Sequence, residues 1–146
     1  MKKLLKRLLT LRADLVGNMM YATDVNGKNP IAVAGAVTVY TRPMLIKRAD
    51  NVGYAIQCTA GANPNITITP QEAPVEPAAA NINGADPSYV TPNGVGALGP
   101  FMDTKMYIAT LPLVPMKHVR FQIVGNTGNG TDTVVSIGLF IQELNN

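Results

Sequence analysis

Tryptophan is absent from this 146-residue chain, and histidine and cysteine occur once each. Aromatic residues make up 5% of it and charged residues 14%. These shortages exclude several kinds of chemistry. A transition-metal site draws on clustered His, Cys or carboxylates. Cys58 and His118 stand sixty residues apart with no carboxylate pair at ligand spacing, so no metal is expected. Asn126, Asn129 and Asp132 could offer oxygens to calcium, but the run around them reads first as a loop. Nucleophilic catalysis needs a base beside the nucleophile. The only serines are Ser88 and Ser136, neither in a Gly-x-Ser-x-Gly elbow, and His118 reads as an outward strand residue beside Arg120. The glycines from Gly94 to Gly99 have no following Lys, so no phosphate cradle is expected. A glycosidase needs two paired acids, and nothing in the sequence places Asp86 near Asp103. The chain reads as a non-enzyme without a cofactor.

One cysteine cannot form an internal disulfide, which points to a reducing compartment. Cys58 shares its strand face with Ile56 and reads as a small buried apolar residue. The scarcity of aromatics leaves little for base stacking, and no nucleic-acid partner is expected. No run of about 20 apolar residues is long enough for a membrane-spanning helix. Lys6-Arg7 interrupts the leucines near the start, so that segment does not read as a signal peptide.

Charge is unevenly spread. Residues 1–13 hold five of the twelve Lys and Arg residues and no acid, whereas residues 14–146 carry seven bases against nine acids. A basic arm of about +5 therefore precedes a body of about −2. On a helical wheel Leu4, Leu8, Leu11 and Leu15 form one stripe, flanked by Leu5 and Leu9. Lys2, Lys3, Lys6 and Arg7 fall on the other side, and Arg12 breaks the pattern. A helix this short is marginal in water. It needs a surface for its leucines: its own body first, then a neighbouring subunit, then a membrane surface. Residues 1–16 are read as this arm and 17–146 as one domain.

The body reads as all-β, a jelly roll or related antiparallel β-sandwich. Ile31 to Tyr40 alternates, with Ile31, Val33, Val37 and Val39 on one face. Asn26-Gly27 before it signals a turn and Arg42-Pro43 ends it. Met44 to Ala49, Val52 to Thr59 and Asn65 to Thr69 follow as strands, the last closed by Pro70. Residues 70–100 hold six of the eleven prolines and four glycines, which predicts a long surface excursion. Further on, Lys105 to Leu111 reads as a strand. His118 to Val124 then alternates with Val119, Phe121 and Ile123 inward and His118, Arg120 and Gln122 outward. After a Gly/Asn loop, Thr133 to Glu143 returns with Val135, Ile137, Leu139 and Ile141 inward. These last two runs read as an antiparallel hairpin.

Two stretches resemble small structural proteins of tailed bacteriophages. One is Leu113-Val114-Pro115-Met116-Lys117-His118-Val119-Arg120-Phe121-Gln122-Ile123, its Gly/Asn loop and Thr131-Asp132-Thr133-Val134-Val135, with the strand ending Gln142-Glu143. The other is Asp86-Pro87-Ser88-Tyr89-Val90 followed by Gly99-Pro100. The likeness spans roughly residues 85–143, is one of style and carries no functional residue across. Such phage proteins include capsid decoration, or cement, proteins with β-sandwich or jelly-roll folds. The likeness implies a dimer or trimer on the outer lattice of the major capsid protein, in a virion assembled in the host cytoplasm. Leu4, Leu5, Leu8 and Leu9 would be apolar anchors, and Lys2, Lys3, Lys6 and Arg7 would meet capsid carboxylates. Alternatives are a tail or neck component, a membrane-active arm, and a carbohydrate- or receptor-binding sandwich. The last needs aromatics such as Tyr54, Tyr89 and Tyr107 clustered on one face.

Each inward strand side chain contributes on the order of 1.5–3 kcal/mol when fully buried. Phe121→Asp and Ile137→Asp are therefore each expected to leave no folded domain, read as loss of the thermal transition by circular dichroism.

Overall fold

The computed structural model describes residues 19–46, 51–61, 63–74, 87–91, 96–111 and 118–142. The arm, with Lys2, Lys3, Leu4, Leu5, Lys6, Arg7, Leu8 and Leu9, lies outside them. The strands are β1 (Met19–Tyr21), β2 (Ile31–Ala32), β3 (Thr38–Tyr40), β4 (Met44–Leu45) and β5 (Asn51–Ala60). They continue with β6 (Ile66–Ala73), β7 (Leu98–Phe101), β8 (Met106–Leu111), β9 (His118–Gly125) and β10 (Val134–Gln142). The all-β expectation holds: two antiparallel sheets pack face to face.

One sheet has the order β1-β10-β5-β8, with β2 also on β10. The other has the order β3-β9-β6-β7, with β4 also on β9. The first sheet is called the β10 sheet below and the second the β9 sheet. β1 and β2 together fill one edge position, and β3 and β4 another. The pairings then nest: β1/β2 with β10, β3/β4 with β9, β5 with β8, and β6 with β7. This is one long antiparallel hairpin rolled up until β10 meets β5 and β9 meets β6. Such a rolled hairpin is a jelly roll.

Alternation builds the core. Ile56, Ile137 and Leu139 from the β10 sheet meet Ile66, Ile68, Val119, Phe121 and Ile123 from the β9 sheet, all fully buried. Cys58 lies in the same cluster, as its position beside Ile56 predicts.

Several expectations are corrected. β9 and β10 are not a hairpin. They lie in different sheets, and residues 126–133 carry the chain across the sandwich between them. Both strands alternate cleanly because each buries one face, not because they pair. Ile31 to Tyr40 is not one strand either. Its start pairs with β10 and its end with β9, so the chain crosses between sheets at a turn on Gly35-Ala36. That crossing leaves Val37 43% exposed instead of inward. Met44 to Ala49 shortens to Met44–Leu45 in the described residues. Pro70 does not close its strand. It sits inside β6 opposite Phe121. The Phe121 amide and carbonyl both face Thr41, donating to Thr41 Oγ1 at 2.9 Å and accepting from Thr41 N at 3.0 Å. Pro70 therefore occupies a position where β9 asks for no N–H, the kind of site a strand proline tolerates.

The two crossings touch at Gly125. Its amide donates to Val37 O at 2.9 Å and its carbonyl accepts from Ala36 N at 2.9 Å. A Cβ on Gly125 would collide with the Ala34 carbonyl oxygen. Gly125→Ala is expected to cost about 1–3 kcal/mol or more through forced backbone displacement, measured as a lower urea midpoint at unchanged slope.

Candidate interaction surfaces

The outward face of the β9 sheet is polar and covered. Arg120 was expected at solvent but is 1% exposed. Its guanidinium carbon lies 4.4 Å from the Tyr40 ring centroid and 4.0 Å from that of Tyr89. Its Nε donates to Gln71 Oε1 at 2.9 Å. Gln122 Nε2 donates to the Tyr40 hydroxyl at 3.1 Å, which steadies one wall of the stack. Tyr89 comes from the Pro/Gly-rich excursion, and Val90 beside it exchanges two backbone hydrogen bonds with Glu72 at 2.8 and 2.9 Å. The excursion thus returns to the sheet and straps over Arg120. Each cation–π contact is worth about 0.5–2 kcal/mol, the upper end applying where the cation is desolvated. His118, also expected outward and exposed, is 8% exposed with no hydrogen-bond partner for Nδ1.

Reading outward strand positions as solvated misses this cluster. Its members Tyr40, Gln71, Tyr89 and Arg120 belong to four separated segments, and only the roll of the sheets brings them together. Glu72 was missed for a different reason, because the strand was ended at Pro70. β6 alternation puts Glu72 on the same face as Ile66 and Ile68, opposite Val119. It is fully buried, and neither carboxyl oxygen has a hydrogen-bond partner. Burial pushes its pKa from the ordinary 4.5 up to about 7, because an unpaired charge is poorly solvated there.

The crossing loop Gly125 to Asp132 is held by side-chain amides. Asn129 Nδ2 donates to Val33 O at 2.7 Å, and its Oδ1 accepts from Asn65 N at 2.8 Å. Asn126 Nδ2 donates to Asn65 Oδ1 and Thr67 Oγ1 at 3.1 and 2.9 Å. Asn126 and Asn129 thus pin the loop to Val33, Asn65 and Thr67.

Other candidates resolve into structural roles. Burial pushes the Cys58 thiol up to about 11, so it is not a ready nucleophile. Ser136 donates to Asn29 Oδ1 at 3.2 Å. Asp103 accepts from Lys105 N at 2.9 Å and from the Tyr107 hydroxyl at 3.0 Å. Those bonds, the backbone amide first, hold its carboxyl below the usual range. Asp86, its imagined partner, lies outside the described residues. Among the described residues no three His, Cys, Asp or Glu side chains group as ligands, and no helix is long and apolar enough to cross a membrane. The three tyrosines of the glycan reading are not brought together. Tyr54 is in the core, Tyr89 lies over Arg120, and Tyr107 packs edge-on against Phe101 at 4.8 Å.

The outward face of the β10 sheet is the opposite case. Cross-strand register aligns Tyr21, Gly138, Ala55 and Ile108 in one row across β1, β10, β5 and β8. Tyr21 is 52%, Met106 57% and Ile108 69% exposed. This face is uncharged, with Ser136 and Gln57 as polar members beside Met106, and has no counterpart to the Tyr89 strap among the described residues.

No protein-family model matches this chain, and no curated protein matches it.

Glu72 yields a pH dependence with a definite sign. Its folded pKa of about 7 exceeds the ordinary 4.5. The unfolded chain therefore ionises first as pH rises. The contribution of Glu72 to stability is complete below pH 4.5 and is lost as pH rises through 7. The loss is on the order of 3 kcal/mol. Urea midpoints at pH 5 and pH 8 should differ accordingly, and Glu72→Gln should remove most of that difference.

Proposed function

We propose that this chain is a virion structural protein, a decoration protein that binds the outer lattice of a tailed-bacteriophage capsid and stabilises the head. One observation carries the reading: a basic, leucine-rich arm precedes a nearly neutral jelly-roll body. The arm supplies cations for capsid carboxylates and leucines for an apolar surface. The body supplies a rigid platform in which the polar side chains of Arg120, Asn126 and Asn129 make internal contacts. The bacteriophage resemblance over residues 85–143 supports the same reading.

The mechanism is mechanical. Each copy sits on the lattice, as part of a dimer or trimer, and its arm reaches across adjacent subunits. Many modest contacts multiply when they are held on one particle. The shell is thereby braced against internal pressure from packaged DNA. The glycan-binding alternative lacks support from its three tyrosines, which lie apart.

Density-gradient fractionation of a native lysate tests the proposal. The full chain is expected to co-migrate with a megadalton particle at fixed stoichiometry to its major protein, and a chain lacking residues 1–13 to stay behind. Migration of the full chain as a free monomer or small oligomer would refute the reading.

A further inference from the structure

The outward face of the β10 sheet is a shallow trough. Its walls are Tyr21 on β1 and Ile108 on β8, separated by three strand spacings of about 4.8 Å, or roughly 14 Å. Its floor is Gly138 and Ala55, which put almost no side chain in the way. Phe140 and Met106 extend the apolar lining along β10 and β8, Ser136 and Gln57 add two neutral polar side chains beside Met106, and the described outward residues of this sheet include no charge. The β9 sheet presents Arg120 and Gln71 outward and is closed by the Tyr89 strap.

We infer that this trough receives the leucine stripe of the chain's own N-terminal arm. The arm leads directly into β1, which forms one wall of the trough. An α-helix is about 10–12 Å across with its side chains, which fits between walls roughly 14 Å apart. A helix over residues 4–15 would be about 18 Å long, close to the roughly 20 Å that β10 spans from Val134 to Phe140. Leu15 and Met19 are four residues apart, a reach of at most about 14 Å. Gly17-Asn18 between them is a turn signal that lets the chain double back. The uncharged floor matches Leu4, Leu8, Leu11 and Leu15 and would reject Lys2, Lys3, Lys6 and Arg7. Docking therefore turns those four cations to solvent and makes the arm a basic strip on the body.

This inference does not depend on the capsid reading, and it replaces the part of that reading in which the arm's leucines meet the capsid and the arm extends across neighbouring subunits. It assigns the leucines to the chain's own fold and leaves the cations for a partner. A gradient experiment that refuted the capsid reading would leave it standing.

Two measurements on the full-length purified protein test it. Limited trypsin digestion reads the exposure of Arg12. Cleavage there is expected to be slower in the wild type than in Ile108→Glu, on the order of tenfold or more, because cleavage follows the population of the undocked arm. Ile108 is already 69% exposed, so this substitution leaves the core intact. Equal cleavage rates would overturn the inference. A short bismaleimide applied to the Leu8→Cys, Ile108→Cys double variant is expected to give an intrachain cross-link that migrates as a monomer. A covalent dimer would instead place the arm on a second copy, and no cross-link would place it elsewhere. Either result would overturn the inference.

Discussion

One buried amide, that of Asn129, joins three of the four connections by which the chain passes between sheets at one end of the sandwich. It lies in the β9-to-β10 connection, donates to Val33 in the β2-to-β3 connection, and accepts from Asn65 just before β6. A jelly roll must carry its chain across the core repeatedly, and each crossing strips backbone groups of their sheet partners. Buried backbone groups left unpaired are costly. Asn129 supplies both a donor and an acceptor from one side chain, so it satisfies two crossings at once. Gly125 performs the matching steric task by allowing the Ala34 carbonyl to approach where a side chain would collide. The roll, and with it the inner and outer assignment of every strand, depends on these contacts.

The roll produces two unlike outer faces. On the β9 sheet, the central strand carries His118, Arg120 and Gln122 outward, which would be an odd set to bury without partners. Arg120 is desolvated between two rings and hydrogen-bonded to Gln71, so its burial is compensated. The excursion then has a fixed anchor at Tyr89 and Val90, and the strap lies over that face. The β10 sheet has no cation to attract a ring, and Gly138 and Ala55 on its central strands leave a low floor between Tyr21 and Ile108. An uncharged floor of this kind is a surface for apolar side chains. The asymmetry follows from which residues occupy the outward phase of β9 and β10.

The strands and the core were legible in the sequence because both depend on local alternation. Val119, Phe121, Ile123, Val135, Ile137 and Leu139 show a period of two, and that period alone fixes one buried face. Pairing was not legible. β9 and β10 have matching alternation and a Gly/Asn loop between them, which is also what a hairpin would show. Whether such a loop turns back within one sheet or crosses to the other depends on contacts with Val33 and Asn65, distant in sequence. Pro70 misled for a related reason, since a proline is compatible with a strand wherever the neighbouring strand needs no donor. The Arg120 stack was invisible because outward strand residues are solvated by default, and only the returning excursion reverses that. Glu72 could have been found: extending the alternation of Ile66 and Ile68 by two steps past Pro70 lands on it.

The distribution of charge connects these features to attachment. The body is close to neutral and the arm holds about five positive charges. Exposed cations at a surface separation beyond about 8–10 Å are largely screened at physiological salt. A single arm would therefore grip an acidic surface weakly, and a leucine stripe free in water would be a liability for aggregation. If the leucines seat in the β10 trough as proposed, that liability is removed and the cations are held in one orientation, so less conformational entropy would be lost on meeting carboxylates. On the proposed lattice, repetition would convert weak individual contacts into firm attachment. The strength of the proposed binding would then lie in the number of copies and the order of the arm, with the body contributing chiefly the rigid face on which that order is imposed.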